Sequence, residues 1–352
     1  MMIDRKKFIK QIGLLSGFTL LSSTSIFAFN SAQISSISLR KRIPKKLKKG
    51  ATFGLITPSG VITKKQLEET VKEVESLGYK VYYKPSILSE FGYLAGTDEE
   101  RSDELIHMFE NPDVDAILCV RGGYGVIRIL DLIDFDIIKK NPKIFIGYSD
   151  ITALITAFYL KSGLVSYHGP VGISTFNEFS LKSLFDIISK TKNTHLYSYE
   201  REPETDNKSE FDFYTINNGK TTGELIGGNM SVLVSMIGGK FEPEFKGKIV
   251  YLEEVDEKTY KIDKMLTQLI YSTDLKEASG IIFGIFKGCD NNEEPTFLLK
   301  ELLIQIMAPL KIPVVYGFPF GHVKNKMTLP TGIKAELNAD TKTLKLIEKT
   351  VN

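Results

Sequence analysis

KIFIGYSDITAL, residues 143–154, is the stretch on which the reading of this chain turns. Three apolar residues, Ile144, Phe145 and Ile146, run into Gly147-Tyr148-Ser149-Asp150, and a helical pattern begins at once. This is a strand, a tight turn and a helix, with a serine on the turn. Such a serine is lifted off the end of a sheet and lies beside the free N–H groups of a helix start. Ser149 is therefore the candidate nucleophile. Ile151 stands where a G-x-S-x-G elbow has its second glycine, so an ordinary hydrolase elbow is a poor match.

The alternation continues outward. Upstream, 52–56 reads as a strand that turns at Thr57-Pro58-Ser59-Gly60, followed by a helix striped by Leu67, Val71, Val74 and Leu77. A strand at 80–83 precedes a helix opened by Thr97 and Glu100 as a capping box. A third strand, 115–120, ends in Arg121-Gly122-Gly123-Tyr124-Gly125, and a helix covers 126–133. Strands and helices in this order predict an α/β domain, 49–196, with a parallel sheet covered on both faces. Ligands of such sheets bind beyond the carboxyl ends of the strands, where Gly122-Gly123 and Ser149 would meet if their strands are neighbours. The polar segment 197–220 reads as a linker. Residues 221–352 predict a second, mixed α/β domain, with strands at 223–227, 248–254, 280–286 and 312–316 and a terminal hairpin at 332–346.

Bulk properties narrow the function. The 352-residue chain is 42% hydrophobic and 25% charged, with a net charge of +2, and offers no electrostatic case for a nucleic-acid partner. Arg5, Lys6, Lys7 and Lys10 against Asp4 give the first 28 residues +3, which leaves the remainder at −1. That basic start, the apolar run IGLLSGFTLL and the small residues up to Ala28 predict a secretory signal peptide, 1–28, ahead of a basic polar lead-in, 29–48. DRKKFIK (4–10) resembles a twin-arginine signal with Lys6 in the second arginine's place, so the expectation is an exported, periplasmic protein with no stable membrane insertion after processing. The alternative is an uncleaved tether. The two cysteines, Cys119 and Cys289, suggest neither a disulfide scaffold nor a zinc site.

A serine hydroxyl needs a base, and the chain has four histidines. His107 falls on a helix between apolar neighbours, and His195 in a polar stretch before the linker. His168, in Tyr167-His168-Gly169-Pro170, and His322, in the glycine- and proline-rich loop after the strand at 312–316, are equal candidates. The base in turn needs an acid. Glu253 and Glu254 end an apolar strand, where alternation turns only one of them toward a given site; the competing reading makes both solvated strand-end charges. For an oxyanion, the N–H groups of Asp150 and of the Gly122-Gly123 pair are the candidate donors. The glycine loop lacks a P-loop lysine and the dinucleotide spacing, and no cofactor or metal is expected.

These residues together resemble a known family. RGGYG (121–125), IGYSDITAL (146–154), HGP (168–170), GGN (227–229), LEEVDE with YKIDKML (252–266), and GH with LPTG (321–332) occur in the order seen in the LD-carboxypeptidases, which include murein tetrapeptide carboxypeptidases and microcin C immunity peptidases. The resemblance spans about 49–346. It implies a triad of Ser149, Glu253 and His322, oxyanion donors at the backbone N–H groups of Gly123 and Asp150, and a homodimer without metal or cofactor. It also implies a Rossmann- or flavodoxin-like first domain and a swivelling β/α-type second domain. The substrate implied is a peptidoglycan-derived peptide that loses a terminal D-alanine. An immunity-type peptidase acting on peptidyl-nucleotide antibiotics, and an inactive exported murein-peptide binder, are the alternatives. The absence of tryptophan weighs against the immunity role.

Overall fold

The computed structural model describes residues 40–197, 199, 209–290 and 295–352. The predicted signal segment, 1–28, lies outside them. In the first half, β1 (Thr52–Ile56), α1 (Lys64–Ser76), β2 (Lys80–Tyr82), α2 (Asp98–Glu110), β3 (Ala116–Cys119), α3 (Val126–Ile129), α4 (Phe135–Lys140), β4 (Ile144–Gly147), α5 (Thr152–Ser162), β5 (Ser166–His168) and α6 (Glu178–Ile188) follow one another. Then come β6 (His195–Tyr197), β7 (Tyr214–Asn217), β8 (Lys220–Asn229), α7 (Met230–Ser235), β9 (Ile249–Glu253), α8 (Thr259–Ser272), β10 (Gly280–Gly284), α9 (Leu299–Met307), β11 (Val314–Phe318), β12 (Leu329–Thr331), β13 (Lys334–Asn338) and β14 (Thr343–Leu346).

The first sheet has the order β12-β5-β4-β3-β1-β2. Its strands β1 to β5 are parallel, and β3 and β4 are buried at every position, as continuous apolar runs in a two-faced sheet should be. β3 and β4 are neighbours, so the glycine pair and Ser149 leave the sheet side by side. α2 begins with the Thr97–Glu100 capping box and three acidic residues in its first turn, which suit the positive end of the helix. The sixth strand comes from the far end of the chain: β12 pairs antiparallel with β5, Leu329 opposite His168.

The second sheet runs β6-β14-β13-β8-β9-β10-β11-β7, with β8 to β11 parallel and the flanking strands antiparallel. Its residues Tyr251, Ile282 and Phe318 share one buried cluster with Leu55, Leu118 and Ile146 of the first sheet. Within 197–220, Tyr214–Asn217 forms the edge strand β7.

Three further details differ from the sequence reading. The helix at 126–133 stops at Ile129 and continues as a 3-10 turn to Leu132. A short helix, α4, follows where no apolar period marked one. The described part of the basic lead-in, 40–48, packs on the body: Leu47 is buried and its N–H bonds the Ile188 carbonyl at 2.8 Å, while Arg42 Nη1 donates to the Ser162 carbonyl at 2.7 Å. A guanidinium there satisfies an orphan carbonyl at the C-terminal end of α5.

Candidate active site

Ser149 sits on the turn between β4 and α5, with φ of 65°. A non-glycine residue in this left-handed region carries strain of order 1–3 kcal/mol. The turn holds its Oγ out toward the loop that carries His322. Ser149 Oγ and His322 Nε2 are 3.2 Å apart, and His322 Nδ1 lies 2.8 Å from Glu253 Oε2. Glu253 is fully buried at the end of β9. An ionised carboxylate only accepts, so Nδ1 carries the proton and Nε2 is free to receive one from the serine.

Electrostatics reinforces this order. Burial disfavours the imidazolium of His322, but the Glu253 charge and its hydrogen bond outweigh burial and raise the imidazole above its ordinary value. Burial likewise pushes Glu253 up, and His322 more than cancels it, leaving the carboxyl below its usual range. Close approach of the two requires a glycine before the histidine. Gly321 has φ of 94°, and a Cβ there would stand 2.4 Å from Glu253 Oε2.

His322 reaches the serine because its loop bridges the two sheets. The chain leaves β11 in the second sheet and returns through β12 to the edge of the first. His168 has a different fate. It is buried on β5 among the rings of Tyr148, Tyr251 and Phe320, and burial pushes it down to about 4, so it is neutral. His107 bonds the Tyr82 hydroxyl at 2.9 Å, and His195 is half-buried on β6.

Both carboxylates at the end of β9 are buried, which removes the reading as solvated charges. Alternation turns them apart. Glu254 accepts from Asn229 Nδ2 at 3.0 Å and from the Ser231 N–H at 2.8 Å, at the start of α7. Burial and the Glu253 charge push Glu254 up to about 7.

The glycine loop lies against the serine. A Cβ on Gly122 would be 2.9 Å from Ser149 Cβ and 3.2 Å from its Oγ, so only glycine admits this contact. Behind it stands a buried network that the sequence reading passed over. Asp150 Oδ2 accepts from Ser59 Oγ at 2.6 Å and from the Val126 N–H at 3.0 Å, so its carboxylate ties the nucleophile turn to the strand-end loop of β1 and to the helix after the glycines. Arg101, 1% exposed, donates to the carbonyls of Pro58 (2.6 Å) and Gly125 (3.0 Å) and pairs with Asp98. One signal for Arg101 was available: it shares the i, i+4, i+7 stripe of Leu105 and Met108, an apolar face. Thr152, in the first turn of α5, accepts the Asn229 N–H at 2.9 Å and joins the serine's helix to the end of β8. Among the described residues no group of histidine, cysteine, aspartate and glutamate is placed to hold a metal ion.

A strained serine in hydrogen-bonding reach of a histidine that is paired with a buried carboxylate, on a two-sheet α/β frame, defines the class as a serine-type hydrolase. Two family models match the chain, the LD-carboxypeptidase N-terminal domain over residues 53–169 and the C-terminal domain over 222–337. The chain belongs to the LD-carboxypeptidase family and is a serine-type carboxypeptidase. It is 37% identical over 306 residues to the probable murein peptide carboxypeptidase of Bacillus subtilis, covering 85% of this chain and 92% of that one. Among solved structures, MccF in complex with glutamyl sulfamoyl guanosine matches with a TM-score of 0.80 at 26% identity, over 88% of this chain and 99% of that one. The muramoyltetrapeptide carboxypeptidase of Oxalobacter formigenes matches with a TM-score of 0.74 at 29% identity, over 86% and 100%. The α/β architecture and the family read from the motifs both stand.

Proposed function

We propose that this protein hydrolyses the L,D-peptide bond that releases terminal D-alanine from murein tetrapeptides, with Ser149, His322 and Glu253 as a catalytic triad. The observation that carries the reading is the hydrogen-bonded series from Ser149 through His322 to buried Glu253, drawn from a turn, a loop and a strand end far apart in the chain. His322 Nε2 takes the serine proton as Oγ attacks the scissile carbonyl. Glu253 stabilises the imidazolium and keeps its tautomer. The N–H groups of Gly123 and Asp150 receive the oxyanion. His322 then gives its proton to the departing amine of D-alanine, leaving an acyl-enzyme on Ser149. Water, deprotonated by the same imidazole, hydrolyses that ester and restores the serine.

The test is to incubate the protein with a disaccharide tetrapeptide and follow D-alanine by mass spectrometry. No release, or release undiminished in Ser149→Ala, sinks the proposal. The similarity to MccF supports a second reading, cleavage of a peptidyl-nucleotide antibiotic. Protection of sensitive cells by the expressed chain, without D-alanine release, would favour it. Our reading also includes export through residues 1–28 and a homodimer. N-terminal sequencing of protein from a periplasmic fraction, and sedimentation of the purified protein, test those two parts.

A further inference from the structure

The loop that delivers His322 also carries Lys326, a lysine only 7% exposed. Its backbone is held by the start of α6: the Lys326 N–H bonds Ser180 Oγ at 2.9 Å, and Asn177 Nδ2 bonds the Lys324 carbonyl at 3.0 Å. Its Nζ stands 5.3 Å from the centre of the Tyr148 ring, and that ring lies 4.9 Å from the His322 imidazole. Tyr148 immediately precedes the nucleophile. Among the described residues the one hydrogen bond from Nζ goes to the Val323 carbonyl, leaving two of its three donors unspent. The nearby acid, Glu253, is engaged by His322. A buried ammonium without a paired carboxylate is costly unless a ligand completes it.

We propose that Lys326 binds the free carboxylate of the departing terminal residue and so makes the enzyme an exopeptidase. The assignment rests on the carboxypeptidase reading above. Its geometry follows from proton transfer. His322 must protonate the departing amine, so the leaving group lies on the His322 side of Ser149. The carboxylate carbon of that residue is only about two bonds from the departing nitrogen. An anion is thus delivered beside the histidine, where the loop places an ammonium. Arg121, which precedes the glycine pair, is directed to the loop after β1: its Nη1 donates to the Val61 carbonyl at 2.8 Å, and its Nε lies beside Gly60. Burial and the Lys287 charge bring Lys326 down to about 8, which a bound carboxylate would reverse.

The experiment compares a tetrapeptide bearing a free terminal carboxylate with the same peptide as its terminal amide, in wild type, Lys326→Met and Lys326→Arg. Wild type should prefer the acid. Lys326→Met should lose about 10- to 100-fold in kcat/KM on the acid, the worth of a charge-assisted hydrogen bond, and its acid-to-amide ratio should fall toward one. Lys326→Arg should recover part of the preference. Labelling of Ser149 by a fluorophosphonate reports whether each variant retains an assembled site, and Lys326→Gln replaces the methionine variant if that one does not fold. Equal losses on acid and amide, or an unchanged ratio, overturn the assignment. So does a loss confined to peptides with a diamino diacid and absent when lysine replaces it, because the side-chain carboxylate would then be the ligand. A wild type that cuts acid and amide equally well overturns Lys326 alone. A wild type that cuts neither overturns the carboxypeptidase reading and this assignment with it.

Discussion

Gly122→Ala is the sharpest perturbation of this site. The added methyl would stand 2.9 Å from Ser149 Cβ, 3.2 Å from Ser149 Oγ and 3.3 Å from the Tyr148 carbonyl. Optimal contact between carbons is about 3.5–4.0 Å, so the glycine loop and the nucleophile turn must separate by at least about 0.6 Å. Gly122 does not have positive φ, so alanine brings a steric cost without backbone strain. Neither wall yields easily. Asp150 and Arg101 hold the two sides through buried bonds of 2.6–3.0 Å. Overpacking of this kind costs about 1–3 kcal/mol of stability. The larger effect falls on rate. Displacement near 1 Å in a positioned site costs about 10²-fold, and loss of one oxyanion donor about 10²- to 10³-fold. We therefore expect kcat for D-alanine release to fall about 10²- to 10³-fold with a folded protein, read by mass spectrometry beside a thermal melt. Wild-type turnover together with an unchanged melt would refute the contact between this loop and the serine.

Further expectations follow from the same network. Glu253→Gln removes the charge that raises His322, so the acid limb of kcat/KM should move to lower pH while kcat falls by a factor on the order of 10²–10⁴; an unmoved limb would separate Glu253 from the histidine. Ser59→Ala deletes a donor to Asp150 and should lower kcat on the order of 10-fold with KM little changed; a change in KM alone would contradict a positioning role. Arg101→Met strips the carbonyls of Pro58 and Gly125 of a buried partner and should cost about 3–5 kcal/mol in denaturant unfolding. Burial pushes the Glu104 carboxyl up to about 7, well above the ordinary carboxylate range. A carboxyl raised in the folded state contributes stability below the unfolded value and loses it as pH climbs through the folded one. Glu104→Gln should therefore be more stable than wild type at pH 8, by up to roughly 3 kcal/mol, and gain nothing at pH 4; equal melts at pH 8 would dispose of this.

Much of this protein was legible in the chain itself. Local signals sufficed for the strand, turn and helix around Ser149, for the glycine pair at a neighbouring strand end, for the capping box at Thr97 and for carboxylates closing an apolar strand. Each depends on residues within one or two turns of one another, and spacing reports such relations directly. Motif order then carried the family. Spacing had no means of choosing between His168 and His322, since both follow apolar strands. Tertiary structure separates them: β5 draws His168 into an aromatic, water-excluding wall, while β12 returns to the first sheet and stretches the His322 loop across to the serine. It also turns Glu253 to the histidine and Glu254 to the start of α7. Ser59, Arg101 and Lys326 act through partners up to 146 residues away, and only folding brings such groups within hydrogen-bonding distance. The nucleophile is a local property of this sequence; the machinery that activates it exists only where a loop from the second sheet crosses to the edge of the first.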